Sequence, residues 1–344
     1  MNIKNLVRPN ILSLAPYSTA RDEFEGEMDS YLDANESPYD NGCNRYPDPH
    51  QKLLKKRICE LKNIPIGNLF LGNGSDEAID LIFRLFCTPS HDTALAITPS
   101  YGMYRVAALT NDVELQEVTL CDDFTLDATA LLGQVTPRTK VVFLCSPNNP
   151  SGNLLDPQQV IQIIENFEGI VVVDEAYIDY SDSEGFVPLL DRYENLIVLQ
   201  TLSKSWGMAA LRVGMAISSE FIVSLMSKIK YPYNINALAQ AKALEMLSAE
   251  NVREHNRQIE ETILERERVT ARLSNSAVVK EIYPSAANFI LVRVSDALSL
   301  YNRLIDNRII VRNRSSIILC GNTLRITIGT PPENDNLIKI LENE

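Results

Sequence analysis

The chain has 344 residues, of which 45% are hydrophobic and 22% charged, as expected for a globular protein large enough for two packed domains. The excess of 45 acidic over 32 basic residues gives a net charge of -13, which argues against binding nucleic acid over an extended surface but leaves room for a local arginine pocket. Six scattered cysteines without a CxxC pair predict reduced thiols, and three widely separated histidines predict no metal site.

The first part of the chain, residues 1–34, is predicted to be mostly loop, with one helix-like segment near its start. It lacks the apolar core of a signal peptide. No apolar run anywhere in the chain approaches the roughly 18 residues that a membrane span requires. We therefore expect a cytoplasmic protein without a membrane partner.

Between about residues 69 and 217, short apolar runs alternate with longer segments of helical spacing. The runs are Ala94–Ile97, Val141–Cys145, Ile170–Val173, Leu196–Leu199 and Val213–Ile217. Strands that are apolar at every position are buried on both faces. The pattern predicts an α/β domain with a mainly parallel sheet covered by helices, in which ligands collect at the carboxyl ends of the strands.

A glycine-rich turn at Gly72–Gly74 precedes an amphipathic segment, where Ser75 or Asp76 is expected to cap a helix. The N–H groups at such a helix start bind phosphate, so both residues are candidate cofactor contacts. A capped helix without any ligand explains the local pattern equally well. Further along, Tyr101 follows the run 94–97 and could stack on a flat cofactor ring.

Polar residues also follow the next two apolar runs. Asn149 lies in a proline-rich turn, and both Asn149 and Tyr177 could donate a hydrogen bond to an oxygen on a cofactor ring. Asp174 ends the run 170–173, where a carboxylate is costly to bury unless it has a cationic partner such as a protonated pyridine nitrogen. The alternative, a metal-binding aspartate of the Walker-B type, lacks an upstream phosphate-loop lysine motif.

Lys204 follows the run Leu196–Leu199, in a turn that contains serine and glycine. Apolar flanks desolvate its amine, which favours the neutral form that condenses with an aldehyde. Taken alone, the pair Ser203-Lys204 is better explained as a surface loop. Arg212 changes this interpretation, because it begins the next buried run, where a guanidinium suits bidentate binding of a phosphate.

After Pro232 the pattern changes to a helical region followed by shorter elements. The expected elements are a helical region Ala237–Leu273, a strand Asn288–Val294, a helix Leu298–Asn307 and a strand-like run Thr323–Gly329. We assign residues 35–235 to a large α/β domain. Residues 1–34 and 236–344 are assigned to a smaller α+β domain with an N-terminal arm.

In their order and in their positions after strands, Asn149, Asp174, Lys204 and Arg212 resemble the fold-type I aminotransferases of class I/II. The match runs over nearly the whole chain. The resemblance implies pyridoxal 5'-phosphate (PLP) as cofactor, held by Lys204 as a Schiff base. It implies catalytic roles for Lys204, Asp174 and Tyr177. The expected fold is that of these enzymes, a large domain with a seven-stranded sheet and a smaller α+β domain.

Local features narrow the resemblance to the histidinol-phosphate aminotransferases within this branch. They are Leu14–Tyr17, Leu32–Pro38 with Asn44–Pro49, and Val311–Asn313 with Leu324–Gly329. This implies transamination of L-histidinol phosphate with 2-oxoglutarate in histidine biosynthesis. It also implies a homodimer with shared sites, in which Tyr46 reaches the cofactor phosphate of the neighbouring subunit. Arg325, helped by Arg312, would bind the anionic group of the substrate, and Tyr17 and Asn35 would line its pocket.

Two other kinds of function stay open at this point. An aromatic or broad amino-acid aminotransferase, or a phosphothreonine decarboxylase, would use the same lysine, aspartate and arginines. A protein of this fold could also be a non-catalytic binding module. Such modules usually carry an attached DNA-binding segment, and the sequence contains no basic helix-turn-helix candidate.

Overall fold

The computed structural model describes residues 2–16, 19, 26 and 28–342. Its larger sheet consists of Leu69–Asn73 (β1), Thr93–Thr98 (β2), Glu114–Thr119 (β3), Thr139–Cys145 (β4), Ile170–Asp174 (β5), Leu196–Thr201 (β6) and Val213–Ser218 (β7). The five apolar runs predicted as buried strands lie within β2, β4, β5, β6 and β7. That prediction is confirmed.

The strands of this sheet are ordered β1-β7-β6-β5-β4-β2-β3. Strands β2 to β6 run parallel to one another, whereas β7 is antiparallel to both of its neighbours, β6 and β1. The carboxyl ends of β4, β5 and β6 therefore meet at one edge, which is where ligands bind in such sheets. The predicted α/β fold with a mainly parallel sheet is confirmed.

Helices pack on both faces of the larger sheet and on one face of the smaller sheet. They are Pro9–Ser13 (α1), Lys52–Lys62 (α2), Ser75–Phe86 (α3), Met103–Thr110 (α4), Ala128–Leu132 (α5), Pro157–Asn166 (α6), Glu220–Ile229 (α7), Ala237–Met246 (α8), Ala249–Leu273 (α9), Ala297–Asp306 (α10) and Pro331–Glu342 (α11). The predicted helical region Ala237–Leu273 is thus two helices. The break occurs because the Ser248 side chain accepts the N–H of Asn251 and so caps the second helix.

The larger sheet is buried on both faces, as the side chains of β5 illustrate. Ile170 and Val172 pack in the cluster on one face, and Val171 and Val173 pack in the cluster on the other. Successive side chains of a strand alternate between faces, so a strand covered on both sides must be apolar at every position. Burial of each of these side chains contributes about 1.5–3 kcal/mol.

The smaller sheet is antiparallel and consists of Val279–Ile282 (β8), Phe289–Val294 (β9), Arg312–Asn313 (β10) and Thr323–Thr327 (β11), in the order β10-β11-β9-β8. Leu324 and Ile326 of β11 pack on one face against α9, α10 and α11. On the opposite face, Arg312, Arg325 and Leu291 are aligned across three strands. Leu291 packs in a cluster of the larger sheet, so this face is directed toward that sheet.

Packing at the two ends of the larger sheet bears on the predicted domain division at residues 35 and 235, which stays a prediction. Ile3, Val7 and Ile11 pack in a cluster of the larger sheet. Ala239 of α8 packs in another, beside Leu54 of α2. The sequence assigned both segments to the smaller domain, but their short apolar faces are covered by the larger one. Among the described residues, no helix is long and apolar enough to cross a bilayer.

Candidate active site

A small cavity of about 70 Å³ opens where β4, β5 and β6 end. The cavity is lined by Ser75, Asp76, Tyr101, Cys145, Asn149, Asp174, Ala176, Tyr177, Thr201, Ser203, Lys204 and Arg212. All of these except Cys145, Ala176 and Thr201 are candidate site residues from the sequence, which the fold brings together from distant parts of the chain.

Lys204 lies in the turn after β6, and its Nζ is 5.5 Å from the centroid of the Tyr177 ring. Burial lowers the pKa of Lys204, and the positive charge of Arg325 lowers it further, while the carboxylate of Asp174 acts in the opposite direction. A lower pKa increases the fraction of neutral amine at physiological pH. Lys204 is therefore suited to act as a nucleophile and as an acceptor of protons.

Asp174 is the last residue of β5 and is only 2% exposed. Its Oδ2 accepts a hydrogen bond from the Tyr104 hydroxyl at 2.8 Å, and its Oδ1 accepts one from the N–H of Ala176 at 3.1 Å. Burial raises the pKa of Asp174 to about 6, although both hydrogen bonds act to lower it. A cation placed in the cavity would stabilise the charged form of this carboxylate.

The first turn of helix α3 faces the same cavity. Gly74, with φ of 78°, is the N-cap and the helix has no side-chain cap, so the prediction that Ser75 or Asp76 caps it is wrong. Glycine suits this left-handed conformation, and a Cβ on Gly74 would displace the guanidinium of Arg212, since it would lie 2.5 Å from Nη2. Without a capping side chain, the N–H groups of the first turn are left for an anion in the cavity.

Arg212 completes this anion site from the start of β7. Its backbone is left-handed (φ 55°), and its Nη2 lies 3.4 Å from Oδ2 of Asp76 while Nη1 lies 3.5 Å from Oγ of Ser203. Gly214 lets β7 pass close to helix α3, because a Cβ there would overlap the backbone of Ser75 and come within 2.8 Å of its Cα. These groups surround one position that suits a phosphate.

The opposite wall of the cavity connects it to the smaller sheet. Asn149, just after β4, accepts a hydrogen bond from Nη1 of Arg325 at 2.5 Å. Tyr177 is buried and packs edge-on against Phe289 of β9, with 5.1 Å between ring centroids. Arg312 is the register partner of Arg325 on β10 and is exposed. The two arginines predicted to bind substrate thus lie side by side, with Arg325 nearer the cavity.

Two of the predicted site residues that the structure describes, Tyr46 and Asn35, do not line the cavity of this chain. Tyr46 is 49% exposed and stacks on Tyr233, with 4.4 Å between ring centroids. Asn35 is exposed, with a left-handed backbone of φ 53°. Tyr17 lies outside the described residues. A role for Tyr46 at a cavity therefore requires a second copy of the chain.

Sequence reasoning missed two residues that act on the lining residues of this site without lining the cavity themselves. Tyr104 of α4 is fully buried and donates to Asp174. Arg314 follows β10, and the charges of Arg325 and Arg312 affect its pKa. A signal for Arg314 was present, since residues two apart on a strand share a face. The contact of Tyr104 joins a helix to a strand and leaves no local pattern in the sequence.

Comparison with known proteins agrees with this geometry. A family model described as aminotransferase class I and II matches residues 22–341. Two relatives named histidinol-phosphate aminotransferase, from Parabacteroides distasonis and Cytophaga hutchinsonii, are 53% and 48% identical, and each alignment covers 99% of both chains.

Solved structures of aminotransferases have a similar fold. The histidinol-phosphate aminotransferase from Clostridium acetobutylicum has a TM-score of 0.77 at 25% identity, covering 87% of this chain and 90% of that one. The enzyme of that name from Sinorhizobium meliloti, in complex with pyridoxal-5'-phosphate, has a TM-score of 0.79 at 22% identity, covering 87% and 82%. The second likeness concerns the fold alone. Together with the family model, these structures confirm the predicted fold type.

Proposed function

Since the chain belongs to the class I and II aminotransferase family, we propose that it catalyses PLP-dependent transamination of L-histidinol phosphate with 2-oxoglutarate, giving imidazole-acetol phosphate and glutamate, in histidine biosynthesis. Relatives of about 50% identity over the full length carry the name of this activity. The structural observation that supports it is a cavity at which a lysine of lowered pKa, Lys204, meets a buried carboxylate, Asp174. Arg325 donates a hydrogen bond to Asn149, a residue of the cavity lining.

The cavity fits PLP by the chemistry of its walls. The buried carboxylate of Asp174 suits a protonated ring nitrogen. The uncapped start of helix α3 with Ser75, Asp76, Ser203 and Arg212 suits a phosphate. The remaining contacts would be made by Lys204 to the aldehyde carbon, Asn149 and Tyr177 to the ring oxygen and Tyr101 to the ring face.

Each wall residue has a definite task in amino transfer. When bound, PLP supplies an aldehyde that condenses with amines and a protonated ring that withdraws electrons from the substrate. Lys204 accepts at Nζ the proton that leaves the substrate carbon and later returns it. Asp174 keeps a negative charge against the ring nitrogen, and Tyr104 and Ala176 hold its carboxylate in position.

Arg325 is proposed to bind the anionic group of both substrates. Its guanidinium can pair with a carboxylate or a phosphate through two parallel hydrogen bonds. The hydrogen bond to Asn149 fixes the direction of this guanidinium relative to the cavity. Arg312 would assist from the adjacent strand, and Tyr17 and Asn35 would line the pocket.

We also propose a homodimer in which Tyr46 completes the neighbouring site. Tyr46 is half exposed, and segments close to it expose further apolar side chains, namely Leu53, Tyr231 and Leu238. Subunit complementation tests this directly: mixing Tyr46→Ala with Lys204→Ala protomers creates hybrid dimers with one intact site, so activity should return. Hybrid dimers that are isolated through two different tags and stay inactive would contradict a shared site.

The proposed location is the cytoplasm. Cys59, Cys87, Cys145 and Cys320 are buried free thiols, and the exposed Cys43 and Cys121 are also unpaired. Free thiols are typical of a reducing compartment.

The experiment for the substrate is a donor panel with 2-oxoglutarate as acceptor. Histidinol phosphate, phenylalanine, tyrosine and phosphothreonine are compared by glutamate formation, with wild type and Arg325→Ala. Histidinol phosphate is expected to give the highest kcat/KM, and Arg325→Ala is expected to weaken both the donor and the acceptor.

Three other outcomes would overturn the proposal. Efficient turnover of phenylalanine with negligible use of histidinol phosphate would identify an aromatic aminotransferase. Release of carbon dioxide from phosphothreonine would identify a decarboxylase. A colourless protein whose spectrum no donor changes would favour the binding module.

A further inference from the structure

Three arginines lie on one face of the smaller sheet, and we call Arg312, Arg314 and Arg325 the arginine cluster. Arg312 is paired in register with Arg325. The N–H of Arg314 donates to the carbonyl of Thr323 at 2.9 Å, so the pairing of β10 with β11 continues to Arg314. Residues two apart on a strand point to the same face, which places Arg314 beside the other two.

This cluster has no acidic counterpart. In the described part of the chain, neither Arg314 nor Arg325 forms an ion pair with a carboxylate. The buried Nε atoms of Arg314 and Arg325 and the buried Oγ of Ser315 have no hydrogen-bond partner. Buried donors without partners are rare in folded proteins, so three in one place indicate that a ligand supplies the acceptors.

Electrostatics supports the same conclusion. Burial lowers the pKa of Arg314, and the charges of Arg325 and Arg312 lower it further. The guanidinium of Arg314 also lies close enough to Tyr177, at the cavity wall, to affect the pKa of its phenol. In a chain with 45 acidic and 32 basic residues, a group of uncompensated cations beside a cavity requires a function.

We propose that Arg314, together with the hydroxyl of Ser315, binds the substrate phosphate and so distinguishes phosphorylated from carboxylate substrates. The assignment rests on the proposed function. Arg325 must serve both substrates, whereas a phosphate carries close to two charges and three acceptor oxygens, more than one guanidinium fork can satisfy. A second guanidinium beside Arg325 meets the remaining oxygens of a phosphate, and a carboxylate has none left to offer it.

The test compares the two half-reactions of the holoenzyme in Arg314→Gln and Arg314→Lys. With histidinol phosphate, Arg314→Gln should raise KM roughly 10- to 100-fold, the loss expected for a charge-assisted hydrogen bond, with a smaller change in kcat. With glutamate, KM should change by less than about threefold, within the range of a distant surface charge. Arg314→Lys keeps the charge without the guanidinium fork, so its KM for histidinol phosphate should lie between those of wild type and Arg314→Gln. Arg272→Gln on α9, exposed and paired with Glu342, is the control for charge loss.

A second measurement separates this inference from the substrate assignment. Inorganic phosphate is used as a competitive inhibitor of the glutamate half-reaction, and its inhibition constant should rise in Arg314→Gln whether or not histidinol phosphate is the true donor. Failure of the wild type to use histidinol phosphate would refute the proposed function alone. An unchanged inhibition constant for phosphate, or equal losses with phosphate and glutamate, would refute the role of Arg314.

Thermal melting distinguishes ligand binding from a structural role. Arg314→Gln removes an unpaired cation, so without phosphate it should melt at the same temperature as wild type or higher. Added phosphate should raise the melting temperature of wild type more than that of the variant. A marked fall in melting temperature without phosphate would show that Arg314 is structural and would overturn the inference.

Discussion

We call Asp174 and Lys204, with the residues that hold them in place, the floor of the cavity. The floor and the arginine cluster differ in whether their buried charged groups have hydrogen-bond partners within the protein. At the floor, each oxygen of Asp174 accepts a hydrogen bond from a fixed donor, Tyr104 or Ala176. In the cluster, the Nε atoms of Arg314 and Arg325 are buried without an acceptor in the part of the chain that the structure describes. The two regions are linked by the hydrogen bond from Arg325 to Asn149, a residue of the cavity lining, yet only the carboxylate of Asp174 is satisfied by the protein itself.

The difference follows from what each region is proposed to hold. A cofactor stays bound through every cycle, so the groups that face it can be fixed in advance by hydrogen bonds of the fold. Two substrates with different anions alternate at the cluster, so its donors must be free to pair with either. A site for exchanging ligands therefore keeps unsatisfied donors that a permanent site does not.

The largest effect is expected from the floor, with Lys204→Ala. Removal of the amine takes away both the nucleophile and the proton carrier, so turnover should fall by roughly 10⁴-fold or more. The visible absorbance of the holoenzyme should also be lost, which a spectrum of the purified variant checks. Lys242→Ala, an exposed lysine paired with Glu245, is the control and should behave as wild type. Full turnover in Lys204→Ala would show that the reaction does not use the amine of Lys204.

Gly214→Ala should have the next largest effect, because the floor depends on close approach of β7 to helix α3. The new Cβ would overlap the backbone of Ser75, so the helix start must move. We expect a loss of stability of about 1–3 kcal/mol and weaker binding of PLP, measured by urea unfolding and by equilibrium dialysis. Gly133→Ala at the end of α5, where a Cβ meets nothing closer than 3.4 Å, is the matched control. Unchanged PLP affinity in Gly214→Ala would contradict the phosphate site.

Sequence could predict the floor far better than the cluster, for physical reasons. Asp174 and Lys204 come after the runs 170–173 and 196–199, which are apolar at every position, and such runs mark the ligand edge of the sheet without any knowledge of contacts. The predicted cap of helix α3 was wrong. Ser75 and Asp76 have side chains that suit a cap, but the helix begins earlier than either cap would allow, after Gly74.

The cluster was only half predicted. Arg312 and Arg325 were identified through a family resemblance, and Arg314 was overlooked although it lies on the same strand face as Arg312. Its importance depends on the absence of a nearby carboxylate, which is a property of three-dimensional packing. The proposed role of Tyr46 involves a second copy of the chain, since within one chain Tyr46 stacks on Tyr233.

Tyr104→Phe tests whether the floor is fixed by its own hydrogen bonds. Loss of the hydroxyl removes a donor to Asp174, so the charged form of this carboxylate loses part of its stabilisation and the pKa of Asp174 should rise. Turnover should drop by roughly tenfold, within the range for a hydrogen bond to a charged group. Tyr193→Phe, whose hydroxyl donates to Glu165, is the matched control.

A measurement of cofactor affinity shows whether Tyr104 acts through the charge of Asp174 or only through packing. Reconstitution with a PLP analogue that has carbon in place of the ring nitrogen removes the group that Asp174 faces. The effect of Tyr104→Phe on cofactor affinity should then disappear. An effect of the same size with PLP and with the analogue would mean that Tyr104 acts on the fold and not through Asp174.

The smallest effect on catalysis is expected from Glu175→Gln, a change next to Asp174 in the chain but outside the cavity lining. Glu175 accepts hydrogen bonds from the N–H of Phe186 and from Nε2 of Gln200, whose Oε1 has no partner. Burial raises the pKa of Glu175 to about 7 from an ordinary value of 4.5. The native state thus binds more protons than the unfolded chain between these values, and wild-type stability falls as the pH rises from 4.5 through 7.

A neutral glutamine at position 175 keeps the acceptor for Phe186 and places an amide donor where Oε2 accepted from Nε2 of Gln200, so the Gln200 amide must flip to present its unpaired Oε1 to this donor. Glu175→Gln should therefore match wild type near pH 4.5 and exceed it by up to about 3 kcal/mol above pH 7, as urea unfolding at several pH values would measure. Asp174 titrates in both proteins, so its contribution cancels in the difference. If the variant is less stable than wild type at pH 8, the charged carboxylate of Glu175 is stabilised by the fold, and the prediction is wrong.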